Sequence, residues 1–166
     1  WVVGAAFVGN GERLVTASAD GMLRICRAQD GGLEFQGPLP GAAMALSADR
    51  RAARVLVACY ESRTGPFMAQ VFDASTGTAV SPRIEHNQVL VALALSPCGE
   101  YAATCSGERG AVRLWRSATG EPIALLKQHN GHSVRAIAFS PDSSLVATAS
   151  SDGAAHIYRV ADGSLL

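Results

Sequence analysis

His132, Ser150 and Asp152 are the residue types from which a nucleophilic triad is built: a hydroxyl, an imidazole to take its proton and a carboxylate to orient the ring. Such a triad also needs an exposed serine and preorganised donors for the oxyanion, and the sequence offers neither. His129 and His132 lie three apart, with His86 in the matching loop upstream. A pair of histidines without a nearby cysteine or carboxylate reads as solvated loop residues, so no metal site and no cofactor are expected. His156 reads as an ordinary strand residue. Gly9, Asn10 and Gly11 precede a strand rather than a helix, so they lack the helix N-terminus that phosphate sites use, and they read as a hairpin turn. Arg50, Arg51 and Arg54 form the only basic cluster and read as a solvated turn rather than a patch for phosphate or an acidic partner.

The elements that must position these residues are set by a repeat. Four times a bulky residue is followed by Arg or Asp, two variable residues, Asp or Thr, and Gly, ending at Gly31, Gly77, Gly120 and Gly163. The glycines are 46, 43 and 43 residues apart, a spacing expected for four-stranded propeller blades. The last copy is the cleanest. Half-apolar runs at 134–139, 145–150 and 155–160 are separated by Pro, Asp and Gly, which predicts three antiparallel strands joined by tight turns, with a fourth starting at 164–166. Phe7, Leu46, Leu95 and Phe139 mark the end of the first strand in each copy. The fourth strands, at 33–36, 79–84 and 122–127, are the least apolar and tolerate Pro82 and Pro122, so they are expected to be outer edges. The second copy is irregular, with stretched turns at 49–54 and 61–66, where extra length costs little.

Composition narrows the function classes. With 166 residues and 48% hydrophobic, the chain can bury a sizeable core. Fourteen basic residues balance fourteen acidic ones, which disfavours a nucleic-acid or anionic-lipid partner. Cys26, Cys59, Cys98 and Cys105 show no CxxC spacing and read as reduced packing residues. No membrane span or leader is visible, so an intracellular, cytoplasmic location is expected.

Gly131-His132, Ser140-Pro141-Asp142, Ser150-Ser151-Asp152 and Tyr158-Arg159 together resemble the WD-repeat β-propeller family, whose repeats carry Gly-His, Ser-Pro-Asp-Gly, Ser-x-Asp and Trp-Asp in this order. Ser18-Ala19-Asp20 with Cys26-Arg27, and Ser106-Gly107-Glu108 with Leu114-Trp115, match more loosely; the second copy keeps Phe72-Asp73 and loses the Ser-x-Asp. The phrase 72–77 is similar in style to long bacterial WD-repeat arrays appended to signalling kinases and ATPases. The resemblance implies an all-β fold: a partial β-propeller of four four-stranded antiparallel blades at about 1–37, 41–84, 89–127 and 133–166. It also implies that His132, Ser150, Asp152 and Tyr158, with Ser18, Asp20, Ser106 and Trp115, form a bracing hydrogen-bond relay rather than a catalytic set.

Four blades are fewer than the roughly seven such rings usually close, so the remaining blades of a longer chain, or a second arc, are expected to cover the end faces. The resemblance implies a non-enzymatic scaffold that presents loops to a protein or peptide partner. Candidate contacts are Glu61, Arg63 and Pro66, then Glu108 and Arg109, then Ser133, Arg135 and Ser151. Two other readings remain open: a regulatory or ligand-sensing module fused to a kinase or ATPase, and a propeller-based enzyme. The last would need polar clusters on the inner strands, which instead read as small and apolar at 2–6, 42–45 and 91–94.

Overall fold

The structure, a computed structural model, describes residues 1–49, 54–62, 64–107, 111–127, 129 and 131–166. Among the described residues fifteen strands appear in chain order: β1 (Val2–Val8), β2 (Arg13–Ser18), β3 (Met22–Arg27), β4 (Leu33–Pro38), β5 (Ala42–Asp49), β6 (Arg54–Tyr60), β7 (Phe67–Asp73) and β8 (Ile84–His86). They continue with β9 (Leu90–Leu95), β10 (Tyr101–Ser106), β11 (Val112–Arg116), β12 (Pro122–Leu126), β13 (Val134–Phe139), β14 (Leu145–Ser150) and β15 (Ala155–Arg159). Neighbours pair antiparallel into four sheets, three of four strands and a last one of three, β13-β14-β15. A bridge between Tyr158 and Leu165 begins a fourth strand there. Residues Gly9–Gly11 form a single 3-10 turn between β1 and β2, as the hairpin reading requires.

The first strands neighbour one another in the order β1, β5, β9, β13, so the sheets stack radially as an arc of propeller blades. Side chains alternate across a strand, and a sheet stacked on both faces must therefore be apolar at every position. In β6, Val55, Val57 and Cys59 face the core shared with the first sheet, whereas Leu56 and Ala58 face the core shared with the third. In β10, Ala102 faces one seam while Ala103 and Cys105 face the next. Each fully buried Val or Leu contributes roughly 1.5–3 kcal/mol, so the seams dominate stability. Burial also pushes the Cys59 thiol up to about 12, which leaves it an inert packing group.

The recurring glycines close the hairpins between third and fourth strands. Gly31, Gly77, Gly120 and Gly163 have φ of 71, 71, 72 and 72°. Each donates its amide to the carbonyl four residues back, at 2.8–2.9 Å, on Arg27, Asp73, Arg116 and Arg159. The positive φ suits glycine. Three of these glycines are pinned a second time, by contact with the preceding sheet. A methyl at Gly77 would strike the Phe35 ring of β4, one at Gly120 would lie 2.7 Å from Ile84 Cδ1 and 2.8 Å from Pro82 Cγ, and one at Gly163 would meet Ala124 of β12. A methyl at Gly31, in the first sheet, would meet nothing within 4 Å among the described residues.

The outer strand of the second sheet departs from expectation. Instead of one strand over 79–84, Ala79 makes an isolated bridge to Phe72 and β8 covers only Ile84–His86. Pro82 lacks an amide for the ladder. Ser81 compensates, because its Oγ accepts the Val71 amide at 2.9 Å and its carbonyl accepts Gln70 Nε2 at 2.9 Å.

Polar stitches also cross the seams. Arg54 Nη1 donates to the Gly99 carbonyl at 3.0 Å and to Ser117 Oγ at 3.3 Å, the Leu95 amide donates to Ser47 Oγ, and the Cys98 amide donates to Ser143 Oγ. Arg54 is thus engaged between sheets rather than displayed as a ligand patch; Arg50 and Arg51 lie outside the described residues.

Candidate functional site

At one end of the last sheet, His129, ahead of β13, is buried against the β14–β15 turn and is 1% exposed. His129 Nδ1 lies 2.9 Å from Asp152 Oδ2 and Nε2 lies 2.8 Å from Thr148 Oγ1. The Ala154 amide and then His129 hold the Asp152 carboxyl below its usual range. His132, expected in this role, is exposed; its amide donates to the His129 carbonyl at 2.8 Å, a turn that sends His129 inward and its own ring to solvent. Ser150 is likewise displaced from the histidine: its Oγ accepts the Asp152 amide at 3.3 Å, while Thr148, two residues earlier on the same strand face, supplies the hydroxyl. Tyr158 is buried in the third core.

The third sheet shares the buried threonine hydroxyl at the corresponding strand position. Trp115 and Thr104 are both fully buried, and Trp115 Nε1 donates to Thr104 Oγ1 at 3.2 Å. Trp115 therefore pairs with Thr104 rather than with Ser106, which is half-buried. His86, 43 residues before His129, is buried at the end of β8. In the first sheet Ser18 is buried and its Oγ donates to the Trp1 carbonyl at 2.9 Å. Asp20 there accepts a two-pronged contact from Arg24, with Nη2 to Oδ2 at 2.8 Å, and Arg24 holds its carboxyl low. Sequence reading missed the threonines. The signal was a Thr-x-Ser repeat, Thr16-Ala17-Ser18, Thr104-Cys105-Ser106 and Thr148-Ala149-Ser150, in which the earlier hydroxyl does the buried work in the last two.

Replacing His129 with Ala leaves the Thr148 hydroxyl buried without its partner and should cost about 2 kcal/mol of folding free energy. His132→Ala should change stability by less than about 0.5 kcal/mol. Urea denaturation of both variants distinguishes the two histidines.

Beside this relay, a cleft of about 470 Å³ opens on the same loop face. Its walls come from three successive sheets: Thr64 and Phe67 from the second, Asn87 to Val89, Val91 and Gly107 from the third, and Ser133 from the last. Val89 and Val91 are each 42% exposed and supply an apolar floor. Of the expected contact residues, Ser133 lines the cleft, and its carbonyl accepts the Ser151 amide at 3.0 Å. Arg135, Ser151 and Glu61 are exposed and do not line it, and Pro66 lies in the β6–β7 loop. Arg63, Glu108 and Arg109 lie outside the described residues.

Radially stacked antiparallel sheets braced at one end by buried polar relays define a β-propeller repeat chain. Residues 79–116 and 120–159 match the family model described as WD domain, G-beta repeat, so two units of the chain carry this repeat. It is 38% identical over 73 residues to WD repeat, SAM and U-box domain-containing protein 1 of Danio rerio, covering 44% of this chain and 15% of that protein. It is 33% identical over 91 residues to SVP1-like protein 2 of Schizosaccharomyces pombe, covering 54% of this chain and 24% of that one. The chain thus spans less than a quarter of the length of either relative. Among solved structures, the computationally designed Ika8 protein superposes with a TM-score of 0.78 at 20% identity, over 99% of this chain and 48% of that one. The designed Ika4 protein superposes at 0.71 and 22% identity, over 96% of this chain and 91% of its own. At these identities the likeness concerns the fold.

Proposed function

We propose that this chain is a non-enzymatic interaction scaffold that holds a protein or peptide partner on the loop face, across the cleft floored by Val89 and Val91. The observation that carries the reading is that three sheets jointly build one concave site, with an apolar floor and a polar rim of Thr64, Asn87, Gln88 and Ser133. A rigid sheet scaffold lets such loops recognise a partner without a large ordering cost. WD repeats in general support protein interaction, which agrees with this reading. Ser151, exposed and donating its amide to the Ser133 carbonyl, adjoins the rim at Ser133.

A selection of displayed peptides against the folded chain tests the site. Peptides that bind should lose at least about tenfold in affinity on Val91→Arg, the effect of a truncated hot spot, with thermal stability unchanged. Equal binding to the variant would place recognition elsewhere.

The end faces are part of the same proposal. On the first sheet, cross-strand partners Phe7, Leu14, Cys26 and Leu33 form an apolar row across β1 to β4, and Phe7 and Leu33 are exposed. On the last sheet, Ala138, Ala147 and Ile157 form the corresponding row, with Ile157 exposed. Leu46, in the place of Phe7 one sheet later, packs in an internal seam. Further sheets of the same kind, from a longer chain or a second arc, are the covers these rows fit.

A further inference from the structure

We propose that His129, Asp152 and His156 form a binding site for a divalent transition-metal ion of the zinc type, built into the relay of the last sheet. One ligand atom from each of the three residues lies within 4.8 Å of the other two. The His129 and His156 rings are 4.6 Å apart, centre to centre, and inclined at 53°. Tetrahedral ligands around zinc sit about 3.3 Å from one another, so drawing these groups onto one ion needs only small side-chain rotations. Two imidazoles and one carboxylate are a donor set suited to zinc, cobalt, nickel or copper rather than to calcium or magnesium.

Comparison between sheets shows why the last one differs. The turn aspartate and the residue four positions later are Asp20 and Arg24 in the first sheet, where they form an ion pair at 2.8 Å. In the last sheet the same two positions are Asp152 and His156. Arginine has no lone pair to offer a metal; histidine has one. The substitution turns a closed ion pair into a third potential ligand directed at a carboxylate and a second imidazole.

The surroundings suit the ligand roles. Thr148 Oγ1, 2.8 Å from His129 Nε2, can accept that nitrogen's proton in a hydrogen bond, which frees Nδ1 to face the ion and orients the ring. Asp152 is exposed and His156 half-exposed, so an ion can enter and water can complete its coordination. Zinc would replace the His129–Asp152 hydrogen bond with two coordinate bonds and tie the loop before β13 to the β14–β15 turn.

The test uses the 166-residue chain stripped of metal with a chelator, then titrated with zinc ions against a chromophoric chelator. One zinc ion per chain is expected. Binding should weaken at least roughly tenfold in His156→Arg, which restores the pairing seen in the first sheet and should leave the metal-free melting temperature unchanged. His132→Ala, which removes the exposed neighbouring histidine, should bind zinc as the parent does. Cobalt(II) should give the visible absorption of a four- or five-coordinate site in the parent and not in His156→Arg. Absence of saturable binding, equal affinity in His156→Arg, or loss of binding in His132→Ala would each overturn the proposal.

Discussion

Gly120→Ala should destabilise the chain by about 3 kcal/mol, whereas Gly31→Ala, at the equivalent hairpin, should cost only about 1 kcal/mol. Both residues sit at φ near 72°, where a Cβ costs roughly 1–2 kcal/mol. That penalty is common to the pair. The remainder is specific to Gly120, where the new methyl would lie 2.7 Å from Ile84 Cδ1 and 2.8 Å from Pro82 Cγ. The proline ring cannot rotate away, so the outer edge of the second sheet must shift, at an overpacking cost of roughly 1–3 kcal/mol. A methyl at Gly31 would meet no atom within 4 Å among the described residues, so this position serves as the internal control. Urea midpoints compared at constant slope give the difference directly. Equal losses at both positions would mean that the glycine serves the hairpin alone and that the seam is more compliant than its geometry implies.

Acidification from about pH 6.5 to about pH 4 should remove about 3 kcal/mol of stability through His86 alone. Burial, and then the Arg113 guanidinium, depress its pKa from 6.5 to about 4. The unfolded chain takes up the proton first, so between these values it binds more protons than the folded chain, and stability rises with pH. The contribution is complete above pH 6.5 and is lost as the pH falls towards 4. His86 is 5% exposed and its Nε2 has no hydrogen-bond partner among the described residues, so a charge placed there gains nothing in return. His86→Gln removes the titration. Its unfolding free energy, measured at about pH 7 and about pH 4.5, should fall by distinctly less than that of the parent across the same interval. A parallel decline in both proteins would assign the acid sensitivity to other groups.

The hairpins and their spacing were legible because glycine at positive φ leaves a fixed mark every 43 to 46 residues. The second reason for those glycines was not legible. Contact of Gly120 with Pro82 depends on how one sheet rests on another, and local sequence carries no record of it. The relay shows the same division. Strand periodicity places Thr148 and Ser150 on one face but cannot decide which hydroxyl lies deeper. The loop holding His129 and His132 has no periodicity, and the Gly131-His132 dipeptide drew attention to the residue that ends in solvent. His156 read as an ordinary strand residue because its neighbours in space, His129 and Asp152, are 27 and 4 positions away in sequence. Pro82 was correctly placed at an outer edge, yet the division of that edge into a bridge and a three-residue strand follows from the Ser81 side chain, which substitutes for ladder bonds.

The matched units 79–116 and 120–159 do not coincide with sheets. Each opens on the segment bearing an outermost strand, β8 or β12, and closes at the third strand of the following sheet, β11 or β15. Tandem duplication of such a unit at the level of the gene would therefore never add a self-contained sheet. It would donate one strand backwards and three forwards, so every newborn copy would be sewn to its elders on both sides from its first translation, and excising any single unit would leave its neighbours to exchange strands rather than to part.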